Sequence, residues 1–299
     1  MAVSIRKLHP LIGAEVTGVD LRRPGEGDLR AIEAAWREHA VLVFPGQPIS
    51  DEQQVAFSRH FGELEIFPQS ANRSNTRPEI FRVTNVGDDD RIRPVESEGG
   101  RYSTLIWVWH VDSSYRQVPA KGAVLHAVEI VKSGGDTLFA NMFAAYEQMS
   151  PELKARIRGL KARHSFLYSR QQRQLPSMKP EEAALVPPVE HPLVRRHPDG
   201  RHSLFVSATY MEQVVGLREE ESRQLLGELM DWAIQERFHY RHRWRVDDVL
   251  MWDNRGAIHV VEPFDHAAER RVMHRTTIAG SEPVLGPVDQ ARPAGYRRS

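Results

Sequence analysis

The stretch Trp107-Val108-Trp109-His110-Val111-Asp112-Ser113-Ser114 places two potential metal ligands behind a run of aromatic and β-branched residues. Such a run favours a β-strand, and side chains two residues apart on a strand point to the same side. His110 and Asp112 would then face one pocket, where both can bind a single ion at roughly 2.0–2.2 Å. We interpret the stretch as a strand that delivers ligands into a cavity.

The same His-x-Asp pattern occurs a second time, as His197-Pro198-Asp199, and is followed by Gly200. Pro-Asp-Gly between two strand-like runs is typical of a turn. The sequence therefore predicts a hairpin over residues 193–205, and no metal role for His197 or Asp199.

A third candidate ligand, His259, lies in the apolar run from Ala257 to Val261. A lone histidine in such a run is more often a core residue whose hydrogen bonds are satisfied. If it joins the first pair, two histidines and one carboxylate would leave three positions open on an iron ion.

Further along the chain stands Arg270-Arg271-Val272-Met273-His274-Arg275. A strand here would turn Arg271, Met273 and Arg275 to one face. Arginines that face a core indicate buried anions, because guanidinium binds carboxylate in a bidentate manner. A solvated basic strand is the alternative interpretation.

Composition excludes several classes of protein. The 299 residues carry 40 Lys+Arg and 40 Asp+Glu, and zero net charge argues against a general nucleic-acid binder. Cysteine is absent, so no disulfide forms and a metal site must use His, Asp or Glu. No apolar run has the length of a signal peptide or a membrane span, which predicts a cytoplasmic protein without membrane partners.

The pattern along the chain predicts one domain, 1–299, in which many strands mix with few long helices and no βαβ rhythm. This favours a β-sandwich or barrel with flanking helices. Segments 68–104 and 170–188 are expected to be loops or lids, and 1–7 and 281–299 to be loosely ordered. Predicted strands cover 40–44, 122–130, 240–252 and 257–261, and predicted helices cover 51–61 after Ser50, a segment beginning at Ser150-Pro151, and 219–236.

The combined motifs resemble the taurine dioxygenase / 2,4-dichlorophenoxyacetate dioxygenase (TauD/TfdA) family. They are His110-Val111-Asp112, Gly134-Gly135-Asp136-Thr137, Trp252-Asp253-Asn254-Arg255, His259 and the segment Arg270 to Arg275. The similarity extends from about Leu8 to Gly280. It implies a mainly β fold with flanking helices and a double-stranded β-helix (jelly-roll, cupin-like) core. It also implies a homo-oligomer, either a dimer or a tetramer.

The resemblance further implies an iron(II) dioxygenase that uses 2-oxoglutarate and O2. His110, Asp112 and His259 would be its metal ligands and catalytic centre. Thr137 and Arg271, with Trp252, would form the 2-oxoglutarate site. Arg270 is a minor alternative to Arg271, because the spacing from the histidine is one residue longer than usual. Arg271 is preferred because Arg275 then falls four residues on, as a substrate-anion arginine does in the family.

Several positions are more similar to the aryloxyacetate branch than to the taurine branch. Phe67 stands where the taurine branch has a sulfonate-binding histidine, and Ile106 where that branch has an asparagine. We expect a small anionic substrate to contact Arg275, Arg91, Ser114, Phe67 and Tyr210. The predicted reaction is hydroxylation beside an ether oxygen of an aryloxy or related carboxylate, followed by ether cleavage.

Four alternatives to this predicted function remain open. Oxidation of taurine, an alkylsulfonate or an alkyl sulfate is the alternative within the family. Desaturation or ring closure begins with the same hydrogen abstraction. A metal-dependent hydrolase and a non-catalytic β-sandwich binding protein are the remote alternatives.

Overall fold

The computed structural model describes residues 3–66, 72–74 and 77–287. The strands are β1 (Ser4–Lys7), β2 (Ala14–Thr17), β3 (Val41–Phe44), β4 (Phe81–Thr84), β5 (Gly122–Glu129), β6 (Thr137–Asn141), β7 (Lys161–His164), β8 (Val189–Pro192), β9 (Val194–Arg196), β10 (His202–Leu204), β11 (Met211–Val214), β12 (His239–His242), β13 (Val249–Asp253), β14 (Ala257–Val261) and β15 (Val272–Ile278). The α-helices are α1 (Glu26–His39), α2 (Asp51–Arg59), α3 (Glu98–Ser103), α4 (Met142–Glu147), α5 (Pro151–Ile157), α6 (Phe166–Gln172), α7 (Pro180–Ala183) and α8 (Glu219–Ala233).

Two sheets organise the molecule. The larger has seven strands in the order β1-β2-β3-β13-β5-β15-β4, and only the β2–β3 pair is parallel. The second sheet has the order β12-β6-β14 and is antiparallel throughout. A three-stranded sheet, β11-β7-β8, and the hairpin β9-β10 stand beside them. The expected mainly β architecture with helices is confirmed.

Strand β13 shows why the large sheet is covered on both faces. Val249 and Met251 belong to the apolar cluster that contains Trp36 of α1 and Phe57 of α2. The alternate residues Leu250 and Trp252 belong to a second cluster, which includes Phe139 of β6. Successive side chains of a strand point to opposite faces, so a continuous apolar strand is buried between the helices and the smaller sheet.

Most of the predicted elements are confirmed. Strands β3 and β5 lie where the sequence places them, and Ser50 accepts a hydrogen bond from the Gln53 amide at the start of α2. Ser150 likewise caps α5. Strands β9 and β10 form the expected hairpin, with the tight turn at His197–Gly200.

The stretch around His110 is not the strand that its residues predict. Residues Thr104–Trp107 form a 3-10 turn, and His110 makes only an isolated bridge with His259. Ser113 adopts a left-handed backbone conformation, with φ of 56°. That conformation ends the extended path directly behind Asp112. The chain therefore turns away after presenting the two ligands.

The predicted strand over 240–252 is wrong as one element. Strand β12 ends in the small sheet at His242, and β13 begins in the large sheet at Val249. Between them the Arg245 amide donates to Asp248 Oδ2 over 3.0 Å, and Asp247 has a left-handed φ of 65°. This tight turn carries the chain from one sheet to the other.

The expectations for termini and loops need correction in places. Within 1–7, β1 pairs with β2, and Arg6 and Glu15 form an ion pair over 3.0 Å across the two strands. Segment 68–104 contains β4 and α3, and 170–188 contains the end of α6 and all of α7. Whether either segment acts as a lid stays a prediction. The tail beyond residue 287 lies outside the described residues.

No helix in the described ranges combines the length and the apolar character that a membrane span requires.

Two glycines give opposite predictions for substitution by alanine. A Cβ on Gly122 would lie 2.3 Å from the Trp252 carbonyl oxygen and 2.4 Å from a ring carbon of Trp36. Strand β5 would have to move, so Gly122→Ala should lower the free energy of unfolding by about 1–3 kcal/mol. Gly227 is exposed on α8 with nothing within 4 Å of an added Cβ. Gly227→Ala should raise that energy by about 0.5–1 kcal/mol.

Urea unfolding followed by tryptophan fluorescence measures both variants. Shifts in the same direction would contradict the packing described for β5 and β13.

Candidate metal centre

The side chains of His110, Asp112 and His259, the three potential metal ligands, lie close together. Nε2 of His110 lies 3.9 Å from Oδ1 of Asp112, and Nε2 of His259 lies 3.8 Å from Oδ2 of Asp112. Their ligand atoms all lie within 4.8 Å of one another, and all three residues are buried. A single ion could therefore contact one atom of each.

Backbone pairing brings the two histidines together. The amide of each donates to the carbonyl oxygen of the other over 3.0 Å, and the two imidazole centroids are 4.2 Å apart. His259 lies within β14, opposite Phe139 of β6, and its ring stacks on Phe139 at a centroid distance of 5.8 Å. The smaller sheet thus holds one histidine and, through the bridge, the other.

The ring of His110 is also oriented by a hydrogen bond. Its Nδ1 lies 2.8 Å from the carbonyl oxygen of Val108. A carbonyl only accepts, so Nδ1 carries the proton and Nε2 is the atom left for a metal. His259 is oriented by packing, since Trp252 lies at a ring-centroid distance of 4.9 Å.

The pKa shifts of the three ligands favour the protonation states that metal binding requires. Burial lowers the pKa of His110 and His259 below 6.5, so both imidazoles are neutral at neutral pH. Burial alone would raise the pKa of Asp112, but the neighbouring Arg275 guanidinium is the strongest of the opposing influences, and the net pKa is lowered. Two neutral imidazoles and one carboxylate fit a divalent iron-type ion with positions left open.

A cavity opens onto these ligands. It is lined by His110 and Asp112, by Arg271 and Arg275, and by a largely aromatic wall. The wall includes Phe81, Tyr102, Leu105, Ile106, Tyr115, Phe166, Tyr210 and Phe264. The segment from Arg271 into β15 confirms the predicted alternation, because Arg271, Met273 and Arg275 are buried whereas Val272 and His274 are only half-buried. The solvated basic strand is therefore excluded.

Arg271 fits a carboxylate ligand. The residue is 2% exposed, and within the described ranges its Nη2 has no hydrogen-bond partner. Burial lowers its pKa to about 10, so it is still a cation at neutral pH. Arg270, the alternative, is bonded instead to Glu129 over 2.8 and 2.9 Å and to Asp90. A buried, incompletely bonded guanidinium is unfavourable, and an anion in the cavity would satisfy it.

Arg275 also lines the cavity. Its Nη1 donates to Oδ1 of Asp112 over 2.6 Å, and its guanidinium lies 5.1 Å from the centroid of Phe81. The guanidinium therefore sits beside a metal ligand and against an aromatic wall.

Sequence reasoning missed two residues that organise this cavity. Asn85 donates from Nδ2 to the carbonyl oxygens of His266 (3.0 Å) and Glu269 (2.8 Å), and accepts from the Arg271 amide (2.9 Å). Glu65 is buried and accepts from Ser113 Oγ over 3.1 Å. Both act across long sequence separations, and no local motif marks them.

Several predicted site residues lie away from the cavity. Ser114 is buried with its Oγ 3.1 Å from His164 Nδ1, and Ser113 lines the cavity instead, because the left-handed turn changes the alternation of side chains. Arg91 is exposed and is not among the described lining residues. Phe67 lies outside the described residues, whereas Tyr210 does line the cavity.

Thr137 and Trp252, which the sequence also places in the 2-oxoglutarate site, are both buried. Neither is among the described residues that line the cavity. Thr137 Oγ1 accepts from Trp244 Nε1 over 2.9 Å, and Trp252 packs against His259. Their roles toward a co-substrate stay predictions.

Comparison with known proteins agrees with this geometry. Residues 4–277 match the family described as "Taurine catabolism dioxygenase TauD, TfdA family". The chain is 39% identical to an α-ketoglutarate-dependent 2,4-dichlorophenoxyacetate dioxygenase of Cupriavidus pinatubonensis, over 93% of this chain and 98% of the relative. It is 38% identical to an (S)-phenoxypropionate/α-ketoglutarate dioxygenase of Sphingobium herbicidovorans, over 93% and 96%. A solved structure of AAD-2 with Mn(II) and N-oxalylglycine superposes with a TM-score of 0.87 at 37% identity, covering 96% of this chain and 100% of that one.

The two His-x-Asp pairs give a matched test of the metal centre. Asp112→Ala removes a buried anionic ligand and should weaken Mn(II) binding by at least about 100-fold. Asp199→Ala should leave the affinity unchanged, because Asp199 is exposed in a turn and bonded to Arg201 over 2.8 Å. Titration of each variant with Mn(II), followed by electron paramagnetic resonance, measures the dissociation constant. Equal affinity in the two variants would place the metal elsewhere.

Proposed function

The chain belongs to the TauD, TfdA family of dioxygenases, and on that premise we propose that it is an iron(II)- and 2-oxoglutarate-dependent dioxygenase acting on a small aryloxy carboxylate. The observation that carries the proposal is one cavity lined by His110, Asp112, Arg271 and Arg275, in which the first two residues form a metal-ligand cluster with His259. The two dioxygenase relatives described above, named for 2,4-dichlorophenoxyacetate and phenoxypropionate, support the substrate class.

His110, Asp112 and His259 would hold the iron. Together with 2-oxoglutarate and O2, bound iron supplies oxidation of a substrate C–H bond, with succinate and CO2 as co-products. The protein contributes the neutral state of the imidazoles and the orientation of His110 by the Val108 carbonyl oxygen.

Arg271 is proposed to bind the distal carboxylate of 2-oxoglutarate. Its guanidinium is buried, cationic and incompletely hydrogen-bonded, which suits a charge-assisted pair. Thr137 would assist, because its oxygen already accepts from Trp244 and its hydroxyl hydrogen remains available for donation.

Arg275 is proposed to hold the substrate carboxylate. An anion at this guanidinium would lie beside Asp112, so the carbon next to the carboxylate would approach the metal. Tyr210 and the other aromatic wall residues would pack against the aryl ring. Hydroxylation at the carbon between the carboxylate and the ether oxygen gives a hemiacetal, which collapses to a phenol and an oxo acid.

We also infer that the seven-stranded sheet and the β12-β6-β14 sheet are the two halves of a double-stranded β-helix. The antiparallel pairing of all their strands except β2 with β3, and the apolar cluster between the two sheets, support this arrangement. The homo-oligomeric state and the cytoplasmic location stay predictions.

A substrate panel tests the reaction. With iron(II) and 2-oxoglutarate, aryloxyacetates or aryloxypropionates should give phenol and succinate in equal amounts, and O2 uptake should require 2-oxoglutarate. Taurine and alkyl sulfates serve as the comparison compounds, since an arginine can bind their anionic groups as well. Turnover of taurine alone would overturn the aryloxy assignment.

Neighbouring arginines provide a test of the co-substrate site. Arg271→Ala removes the buried cation and should raise the KM for 2-oxoglutarate by about 10- to 100-fold, the equivalent of a charged hydrogen bond. Arg270→Ala breaks only the outer pairs with Glu129 and Asp90, so its KM should stay within about twofold of wild type. Steady-state kinetics with a saturating aryloxy substrate measure both. A larger effect from Arg270→Ala would reverse the assignment.

A further inference from the structure

The turn behind Asp112 has a backbone conformation that is unfavourable for the residue that adopts it. Ser113 has a left-handed φ of 56°, a region in which a Cβ comes too close to the following carbonyl oxygen. Within the turn, the Arg116 amide donates to the Ser113 carbonyl oxygen over 2.9 Å. Such a conformation persists only where the surrounding structure holds it. The contacts that hold Ser113 therefore also determine where the neighbouring carboxylate of Asp112 lies.

Glu65 binds both ends of this turn through one oxygen atom. Its Oε2 accepts a hydrogen bond from Ser113 Oγ over 3.1 Å and lies 3.3 Å from Nη1 of Arg116. The Glu65 side chain is 5% exposed, and a carboxylate buried to that degree is unfavourable unless it is paired. The two contacts together fix the ends of the turn relative to Glu65.

Glu65 is itself attached to the large sheet. Its amide donates to the Thr277 carbonyl oxygen over 2.8 Å, and the preceding residue, Leu64, forms a bridge with Ile278. Thr277 and Ile278 are the last two residues of β15. The side chain of Glu65 thus connects the end of a regular strand to the irregular segment that carries Asp112.

The three metal ligands are held by different sheets. His259 lies in β14 of the β12-β6-β14 sheet, and the backbone bridge attaches His110 to it. Asp112 is attached instead to β15 of the larger sheet, because Arg275 donates to its carboxylate and Glu65 holds the residue that follows it. The position of the carboxylate relative to the two imidazoles therefore depends on the contacts made from β15.

We propose that Glu65 is a positioning residue of the metal centre. By accepting the hydrogen bond from Ser113 Oγ, it holds the turn behind Asp112 and keeps that carboxylate where one ion can contact it together with both imidazoles. Glu65 is not among the described residues that line the cavity, so it acts through Ser113 and not on the metal or the substrate. The inference rests on the proposed function, because the ion concerned is the proposed iron.

The test is the affinity of the metal-free protein for Mn(II), measured by titration followed by electron paramagnetic resonance. Loss of a group that orients a metal ligand typically weakens metal binding by about 10- to 100-fold. Because Glu65 acts through a second residue, Glu65→Ala should raise the dissociation constant by about 10-fold, the lower end of that range. Ser113→Ala should give a similar increase. The double variant should bind no more weakly than either single variant, since both remove the same hydrogen bond.

Two further variants separate positioning from a general loss of stability. Glu65→Gln keeps an oxygen that can accept from Ser113 Oγ, so its affinity should lie between those of wild type and Glu65→Ala. Glu79→Ala is the matched control, because the Glu79 side chain is 11% exposed, pairs with Arg59 over 2.5 Å and is not among the described lining residues. Glu79→Ala should lower the thermal stability of the metal-free protein, as Glu65→Ala does, but should bind Mn(II) with wild-type affinity.

Four outcomes would overturn the positioning role. They are unchanged affinity in Glu65→Ala, an equal loss in Glu79→Ala, additive losses in the double variant with Ser113→Ala, and a loss in Glu65→Gln as large as in Glu65→Ala. If Glu65→Ala does not fold, Ser113→Ala and Glu65→Gln carry the test. Wild-type protein that does not bind Mn(II) would instead contradict the proposed function. Normal wild-type binding with an unaffected Glu65→Ala variant contradicts the positioning role alone.

Discussion

The pair of backbone hydrogen bonds between His110 and His259 is the interaction on which the site depends. Each amide donates to the other residue's carbonyl oxygen over 3.0 Å, where no regular strand surrounds His110. The bridge attaches an irregular segment to β14, and β14 is itself held by β6. Without it, both ligands would lie on an irregular segment whose backbone next to His110 is held to the rest of the described chain only by longer hydrogen bonds to Ser207 and Thr209 and has no bond to β14.

Burial of charge is the second constraint. Asp112, Arg271 and Arg275 are nearly inaccessible to solvent, and taking such groups out of water is unfavourable unless they are paired. Arg275 and Asp112 pair with each other over 2.6 Å. Arg271 has Asp136 as the acidic neighbour that acts on its pKa. Arg271 is therefore a buried cation whose Nη2 keeps unused hydrogen-bonding capacity within the described ranges, which is the property expected of an anion-binding group.

Local sequence patterns predicted those parts of the fold that arise from interactions between residues close together in the chain. The caps of α2 and α5 and the turn at His197–Gly200 depend on residues within a few positions of one another. The alternation of Arg271, Met273 and Arg275 is also a local consequence of strand geometry. By contrast, the break between β12 and β13 arises because the two strands pair in different sheets, and this pairing depends on segments that are distant in sequence.

The sequence by itself determined the chemistry of the centre: two histidines, one aspartate and a pair of arginines with strand spacing, in an order that the family shares. Tertiary structure alone decided which side chains face the cavity. Ser113 replaces Ser114 because of a single left-handed residue, Arg91 remains at the surface, and Asn85 holds the loop before Arg271 across a large separation in sequence. The reason is that ligand identity resides in residue type, whereas orientation depends on backbone dihedral angles and hydrogen bonds between distant segments.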